Sequence, residues 1–432
     1  MNVRALSLVL LLVLAVTPAT RAAQSITLQN AYDAALASYE TVRISQENTV
    51  QADSKVDQAW TYLYPKVTGL GSYLRYNETL PPNGGAVIFQ PLGQLQAAVV
   101  LTQPLYTGGR ALAALRAAKT MQESSRDDLS STKQSLLLSV SEAYYAVIRS
   151  QRVVEVSRGA LERMERHKKV TEREASTRRS KANVSALLRA NTLVDQSRIF
   201  LVTAESNLKT ARQRLSLLTQ LPEDAAVVDP PVVQAPPEPV RTLQEKALKD
   251  RDDYISSQLG QKVAKENVAI TAGAHYPQIH AEGGIRYTDS NPTTLMDATT
   301  YYGGVVLQVP IFEGGLMKAE VAEARSKQRQ SELSTELLKR NIQNEVAEAY
   351  LNYQTLSTVL ETAKTQFENA RKNFDTVESL FSEGLLTSLS VIDAQQALFL
   401  AERELVAASI EQQLTILRLQ RSIGALGKQT KS

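Results

Sequence analysis

The chemically able residues of this chain are few, and their spacing speaks against catalysis. The three histidines are His167, His275 and His280, the last two five apart at a strand entry, which is not a helical zinc spacing. There is no cysteine, hence no thiol nucleophile, and no Gly-x-Ser-x-Gly elbow. Glu345 and Glu348 fall on a helical packing seam, not in the cleft that paired catalytic carboxylates need. Met121, Met164, Met296 and Met317 are scattered, so no thioether ladder points to a soft metal. Gly108-Gly109 and Gly314-Gly315 each precede a long helical pattern, where backbone amides can cradle phosphate. Neither pair has the third glycine or the lysine of a phosphate loop. They read instead as hinges behind Pro104 and Pro310, where glycine permits the positive φ of a sharp bend. No catalytic residue, cofactor or metal is expected, and the chain does not read as an enzyme.

The elements around these hinges occur twice. Leu101-Thr-Gln-Pro-Leu-Tyr-Thr-Gly-Gly-Arg110 returns about 206 residues later as Leu307-Gln-Val-Pro-Ile-Phe-Glu-Gly-Gly-Leu316, and Ser141-Glu-Ala-Tyr-Tyr145 returns as Ala347-Glu-Ala-Tyr-Leu351. Tyr64-Pro65 and Tyr276-Pro277 open the two strand-like runs. A period this long signals internal duplication, since solenoid units are roughly 20–50 residues long. The spans 65–106 and 277–312 each predict a strand pair around turn-rich sequence such as Leu80-Pro-Pro-Asn-Gly-Gly85. In the second copy Ile279, Ala281, Gly283, Ile285 and Tyr287 alternate with Gln278, His280, Glu282, Arg286 and Thr288. Leu95, Ala97, Val99 and Leu101, and again Tyr301, Gly303, Val305, Leu307 and Val309, extend the apolar face. Two-sided strands of about ten residues suit the lipid and lumen faces of a membrane barrel.

Between these strands the chain is almost free of helix breakers. Arg110 to Leu221 contains no proline and one glycine, Gly159; Leu316 to Ile423 contains no proline and only Gly384. One straight helix of that length would exceed about 150 Å, so each stretch is expected to fold back midway into two antiparallel arms. Leu333, Leu337, Leu338, Ile342, Val346, Tyr350, Tyr353, Leu356 and Leu360 follow coiled-coil spacing. A shorter helix starts at Thr27-Leu28-Gln29 and again at Thr242-Leu243-Gln244.

Composition sets the compartment. Arg4, the apolar run Leu6–Val16 and the small residues near Ala22 read as a secretory signal over 1–22, with a retained anchor as the alternative. Its removal takes Arg4 and Arg21 away, and the net charge falls from +3 to +1. Mixed charges of both signs make no case for nucleic acid. The lack of cysteine rules out disulfides and N-terminal lipid attachment through a cysteine. No later run is long and apolar enough for a transmembrane helix, so entry into a membrane would require a closed barrel. The expected organisation is a signal (1–22), a first repeat (23–221), a proline-rich linker (222–241), a second repeat (242–424) and a tail (425–432). Six prolines between Pro222 and Pro239 exclude helix there.

Two copies of Tyr-Pro-strand, Pro-hydrophobic-aromatic-x-Gly-Gly and long helical hairpin resemble the TolC-like outer-membrane efflux protein family. The most specific segments are Val309-Pro-Ile-Phe-Glu-Gly-Gly315 and Gly384-Leu-Leu-Thr-Ser-Leu-Ser-Val-Ile-Asp393-Ala-Gln395. The resemblance spans the mature chain. It implies a mainly α protein with a β-barrel contribution: a homotrimer in which each chain gives four strands to one shared barrel above a periplasmic helical tunnel. Four strands alone cannot close a barrel in lipid, where about eight is the minimum. The implied protein is a passive outer-membrane duct of a Gram-negative tripartite efflux or type I secretion system. Its partners would be outer-membrane lipid, a periplasmic adaptor and an inner-membrane pump of RND, ABC or MFS type; cargo, including multidrug export, stays open.

The resemblance also points to residues at the hairpin tips. The family often has two acidic residues three apart on the returning helix; here they fall on Asp393 and Ser390, so half the usual charge is expected at a periplasmic gate. Aligning Ala190 with Ala394 puts Arg189 opposite Asp393 and Ser180 at the glycine position. A basic first tip and an acidic second tip suggest salt bridges that close the entrance, although each residue could equally be solvated surface. Adaptor docking is expected at Gly384, Leu385 and Leu386 and at Arg178, Arg179 and Ser180. The competing readings are a periplasmic coiled-coil adaptor or scaffold and a polysaccharide-degrading enzyme.

Overall fold

The computed structural model describes residues 25–80, 90–177, 181–295 and 297–427. The signal segment, the Pro81–Gly85 turn, Met296, the last five residues and the tip residues Arg178, Arg179 and Ser180 lie outside them. Each repeat runs helix, helix, strand, strand, long helix, shorter helix. The first comprises α1 (Leu28–Ser38), α2 (Glu40–Trp60), β1 (Lys66–Arg75), β2 (Gly93–Thr107), α3 (Arg110–Thr177) and α4 (Lys181–Thr219). The second comprises α5 (Val240–Asp250), α6 (Asp252–Ala272), β3 (Gln278–Asn291), β4 (Thr299–Gln308), α7 (Leu316–Ser382) and α8 (Ser388–Ser422).

The strands form one antiparallel sheet in the order β1-β2-β3-β4. Pro65 and Pro277 are 212 residues apart and Leu101 and Leu307 are 206 apart, the difference lying in the longer β1–β2 connection. Under those two offsets the hairpin registers coincide: Lys66 faces Thr102 as Gln278 faces Gln308. The pairing aligns Gly69, Val99, Ile285 and Tyr301 in one cross-strand row, and Val67, Leu101, Gly283 and Gly303 in the next. Rows of the other parity carry Lys66, Thr102 and Glu282, and Ala98, Arg286 and Thr300. One face is therefore apolar and the other largely polar, as the alternation predicts. A bulge at Leu105, between Pro104↔His280 and Tyr106↔Ile279, shifts the phase so that Tyr106 stays in the apolar rows.

Beyond β2 and β4 the chain turns into the long helices through the glycine pairs. Gly108 (φ +66°), Gly109 (φ +80°), Gly314 (φ +62°) and Gly315 (φ +89°) are all left-handed, which a β-carbon disfavours. The two corners differ in surroundings. A β-carbon on Gly108 would stand 2.2 Å from the Gly273 carbonyl oxygen, whereas one on Gly314 would meet nothing within 4 Å.

The hairpins do not fold midway. α3 has 68 residues and α7 has 67, about 100 Å each, while α4 and α8 have 39 and 35. The unequal arms leave room for α2 and α6 beside the sheet-proximal half of the long helices. Gln122 of α3 reaches Asp53 of α2, and Ser124, Ser130 and Gln134 bond Ser256 and Asp252 of α6. The second fold-back falls at Gly384, the one glycine of its stretch, whereas no glycine marks the end of α3, so the first is set by packing.

Where α1 and α5 dock, the repeat is preserved in the core. Ala31, Ala35, Leu136 and Val140 are buried together, and their equivalents Leu243, Ala247, Ile342 and Val346 form the matching cluster. The breaks that separate α1 from α2 and α5 from α6 fall at equivalent positions, Tyr39 and Arg251. Arg251 is buried, donating to Asp253, to Glu345 at 2.6 Å and to the Ser422 carbonyl. Burial alone would push its pKa down, but the two carboxylates outweigh it and hold the guanidinium above its usual value. Arg421 nearby is pushed down by burial and by Arg251.

The proline-rich connector is extended and pinned. Val227 bridges Ile26, the Tyr144 hydroxyl lies 2.8 Å from the Ile26 carbonyl and 2.6 Å from that of Val228, Asp229 pairs with Arg152, and Val233 N–H donates to Gln413. Of the expected seam on α7, Ile342, Val346 and Leu360 are buried, while Leu333 and Leu337 stay exposed.

Candidate functional site at the hairpin tips

The lower half of α3 carries polar residues one turn apart on an otherwise apolar stripe: Arg163, His167 and Thr171, flanked by the buried Ala160 and Met164. This face meets the returning helix of the second hairpin. Arg163 Nε donates to Gln395 Oε1 at 2.9 Å and Nη2 to Glu402 Oε2 at 2.8 Å. His167 Nε2 lies 2.8 Å from Ser388 Oγ, and its ring packs at 5.1 Å on Phe381. From α4, Phe200 stacks on Phe399 at 5.3 Å, with Arg403 over the same ring. Burial lowers the His167 pKa, because the buried site disfavours the charged ring. The two hairpins are thus locked by a charged, a neutral polar and an aromatic contact along one α3–α4–α8 seam.

The second tip is built for a tight reversal. Gly384 is left-handed at φ +77°, and Leu385 N–H bonds the Leu380 carbonyl at 2.9 Å in a Schellman-type cap. Phe374, Phe381, Val391, Ala394 and Leu398 form a small core beneath it, against which Leu386 packs, while Leu385 stays 68% exposed. Ala190 and Ala394, the aligned pair, are both buried, so Arg189 and Asp393 occupy equivalent outward positions. Both are exposed, and among the described residues no ion pair joins them within the chain. Ser390 is half-buried with its hydroxyl 3.3 Å from that of Thr387.

The contacts that join the hairpins were not anticipated from sequence. In the sequence His167 reads only as a candidate metal ligand, and Arg163 stands out in no motif. Their signal is a polar i, i+4, i+8 series on a buried stripe, which requires polar partners on the facing helix. Among the described residues no group of three or more His, Asp or Glu is gathered as a metal site.

A model of the outer membrane efflux protein family matches residues 31–219 and 243–425, the two repeats in turn. The chain belongs to the outer membrane efflux protein family. It is 24% identical to outer membrane protein TolC of Escherichia coli K12 over 425 residues, covering 94% of this chain and 84% of that protein. It is 23% identical to the cation efflux system protein CusC of the same strain over 319 residues, 71% of this chain and 69% of the other. The crystal structure of the CmeC outer membrane channel of Campylobacter jejuni superposes with a TM-score of 0.81, covering 92% and 85% of the two chains at 15% identity. That likeness is one of fold: four antiparallel strands above long helical hairpins. Membership places the protein in the Gram-negative outer membrane, in a family of channels and not of enzymes.

Proposed function

We propose that the chain is the exit duct of a tripartite efflux or type I secretion system, a passive conduit assembled as a homotrimer. One observation supports this most: a sheet with an apolar and a polar face, whose outer strands β1 and β4 each pair on one side only among the described residues. Open edges are not tolerated in lipid, so the sheet must be closed by further copies. Three copies give a twelve-stranded barrel, above the minimum of about eight. The same observation speaks against a periplasmic adaptor, which has no use for a lipid-facing sheet.

In this reading the hairpins continue the barrel as a periplasmic tunnel. Energy comes from an inner-membrane pump and is transmitted through an adaptor that docks at Gly384, Leu385 and Leu386 and at the Arg178, Arg179 and Ser180 tip. Asp393, once per chain, makes a ring of three carboxylates at the entrance, next to Ser390. Arg189 and Asp393 would pair between hairpins of neighbouring copies, each such exposed pair being worth about 0–1 kcal/mol. Planar-bilayer recordings test both levels. The purified protein should need detergent and form discrete pores, and a freely soluble protein without pores refutes the duct. Arg189→Ala or Asp393→Ala should raise conductance, and unchanged conductance in both refutes the gate.

A further inference from the structure

We propose that the cleft between the end of α6 and the start of α7 holds the anionic headgroup of a phospholipid from the leaflet on the helix side of the sheet. The proposal rests on the duct reading and adds a ligand to it. Under the offset of 212 residues Tyr64 is equivalent to Tyr276, and under that of 206 residues Leu112 is equivalent to Lys318 and Lys119 to Arg325. In the first repeat the wedge between α2 and α3 is filled. Trp60 stacks on Tyr64 at 6.2 Å, and Lys119 Nζ lies 5.4 Å from the centroid of the Trp60 ring. In the second repeat Trp60 is replaced by Ala272, Leu63 by His275 and Leu112 by Lys318, while the tyrosine and a cation are kept as Tyr276 and Arg325. The result is a cleft of about 510 Å³ whose polar lining is His275, Tyr276, Lys318 and Arg325.

The three replacements run in one direction: an indole and two leucines give way to a methyl group, an imidazole and an ammonium. No carboxylate lines the cleft, and among the described residues none of His275, Lys318 and Arg325 is in an ion pair. A hollow of this size with a cationic rim and no acid selects an anion, and the guanidinium fork of Arg325 matches a phosphate. Its level favours a lipid as the source. Tyr276, just before β3, is 55% exposed, and Ile311 and Phe312, between β4 and α7, are 92% and 84% exposed. Aromatic and apolar surface thus joins the cleft to the sheet, as at a membrane interface. The cleft also opens outward. Thr288, on the polar face of β3, donates its N–H to the carbonyl of Ala298 at the head of β4. For L-residues whose polar face lines the lumen, this puts β4 clockwise of β3 seen from the β3–β4 connection. On a right-handed α7 lying beside α6 in that order, Lys318 and Arg325 fall on the outer side of the wall. Basic hollows at that depth attract anionic headgroups.

Native mass spectrometry of the full chain in a neutral detergent tests this, with phosphatidylglycerol or phosphatidylcholine added. Wild-type protein should retain phosphatidylglycerol, one per chain, in preference to phosphatidylcholine. Ala272→Trp rebuilds the filling of the first repeat without touching a charge, and Lys318→Leu/Arg325→Gln removes the cations. Each should weaken retention roughly tenfold. Lys119→Gln, whose cation already sits on Trp60, should leave retention unchanged. Equal retention of the two lipids, or undiminished retention in either cleft variant, overturns the proposal; if Ala272→Trp does not fold, the charge variant decides. Displacement of the lipid by millimolar inorganic phosphate would make this a site for free phosphate and overturn the lipid assignment. Loss of the lipid preference alone leaves the duct reading standing, whereas wild-type protein that is soluble without detergent and forms no pores overturns both.

Discussion

Arg163 of α3 and Glu402 of α8 form an ion pair at 2.8 Å, with each side chain only 17% exposed. The pair ties the first hairpin to the returning arm of the second, one turn from the His167–Ser388 bond. It is one of the few charged contacts of the hairpins that is shielded from water on both sides, and so it escapes most of the screening that weakens surface pairs.

Arg163→Ala should therefore loosen the tips. It leaves Gln395 and Glu402 without their donor, a loss of about 2 kcal/mol for a hydrogen-bonded charge in a partly buried site. The expected outcome is a higher single-channel conductance with the barrel intact. Arg163→Lys, which cannot serve both acceptors in one fork, should fall between. Wild-type conductance in the alanine variant would exclude a gating role for this contact.

His167 adds a pH dependence of defined sign. Burial depresses its pKa below the ordinary 6.5 in the folded tip. The unfolded or opened state therefore binds the proton more tightly, and the stability of the contact is lost as pH falls from about 6.5 toward the depressed folded value. Tip opening, read by protease nicking near Gly384 or by conductance, should increase over that interval. His167→Gln should flatten the profile, and an unaltered profile in that variant would assign the pH effect elsewhere.

Arg251 is expected to matter for folding rather than gating. Arg251→Met removes the cation that serves Asp253, Glu345 and the Ser422 carbonyl. Glu345 is half-exposed and can be rehydrated, so the loss centres on Asp253 and the carbonyl and should be about 2–3 kcal/mol. Thermal melting in detergent checks this. Pairing it with Asp253→Asn should recover part of the loss, since the uncompensated charge is then gone.

The two corner glycines should fail differently. Gly108→Ala adds a clash with the Gly273 carbonyl to the cost of a left-handed β-carbon, about 1–2 kcal/mol, and should impair folding of the chain itself. Gly314→Ala meets open space within the chain, carries the left-handed cost alone and should fold with the smaller loss of thermal stability. Equal loss of folded chain in both would contradict the assigned difference.

Much of the architecture was legible in the sequence because its signals are local. Alternation along Ile279–Tyr287 needs only the two-residue period of a strand, the breaker-free stretches need only helix propensity, and Pro-aromatic-x-Gly-Gly announces a bend wherever it stands. Duplication added the one long-range inference available from a single chain: whatever the first copy builds, the second builds again. Tertiary structure decided what depends on partners distant in sequence. The second turn is marked by Gly384, but the first hairpin turns beyond its midpoint with no glycine to mark the place, where α2 and α6 pack beside the long helices. Pro104 and Leu105 form a bulge because β3 lies opposite. Arg251, Arg163 and His167 became structural residues only when Glu345, Glu402 and Ser388 were brought to them, a pairing no periodicity encodes because the charges must meet across separate helices.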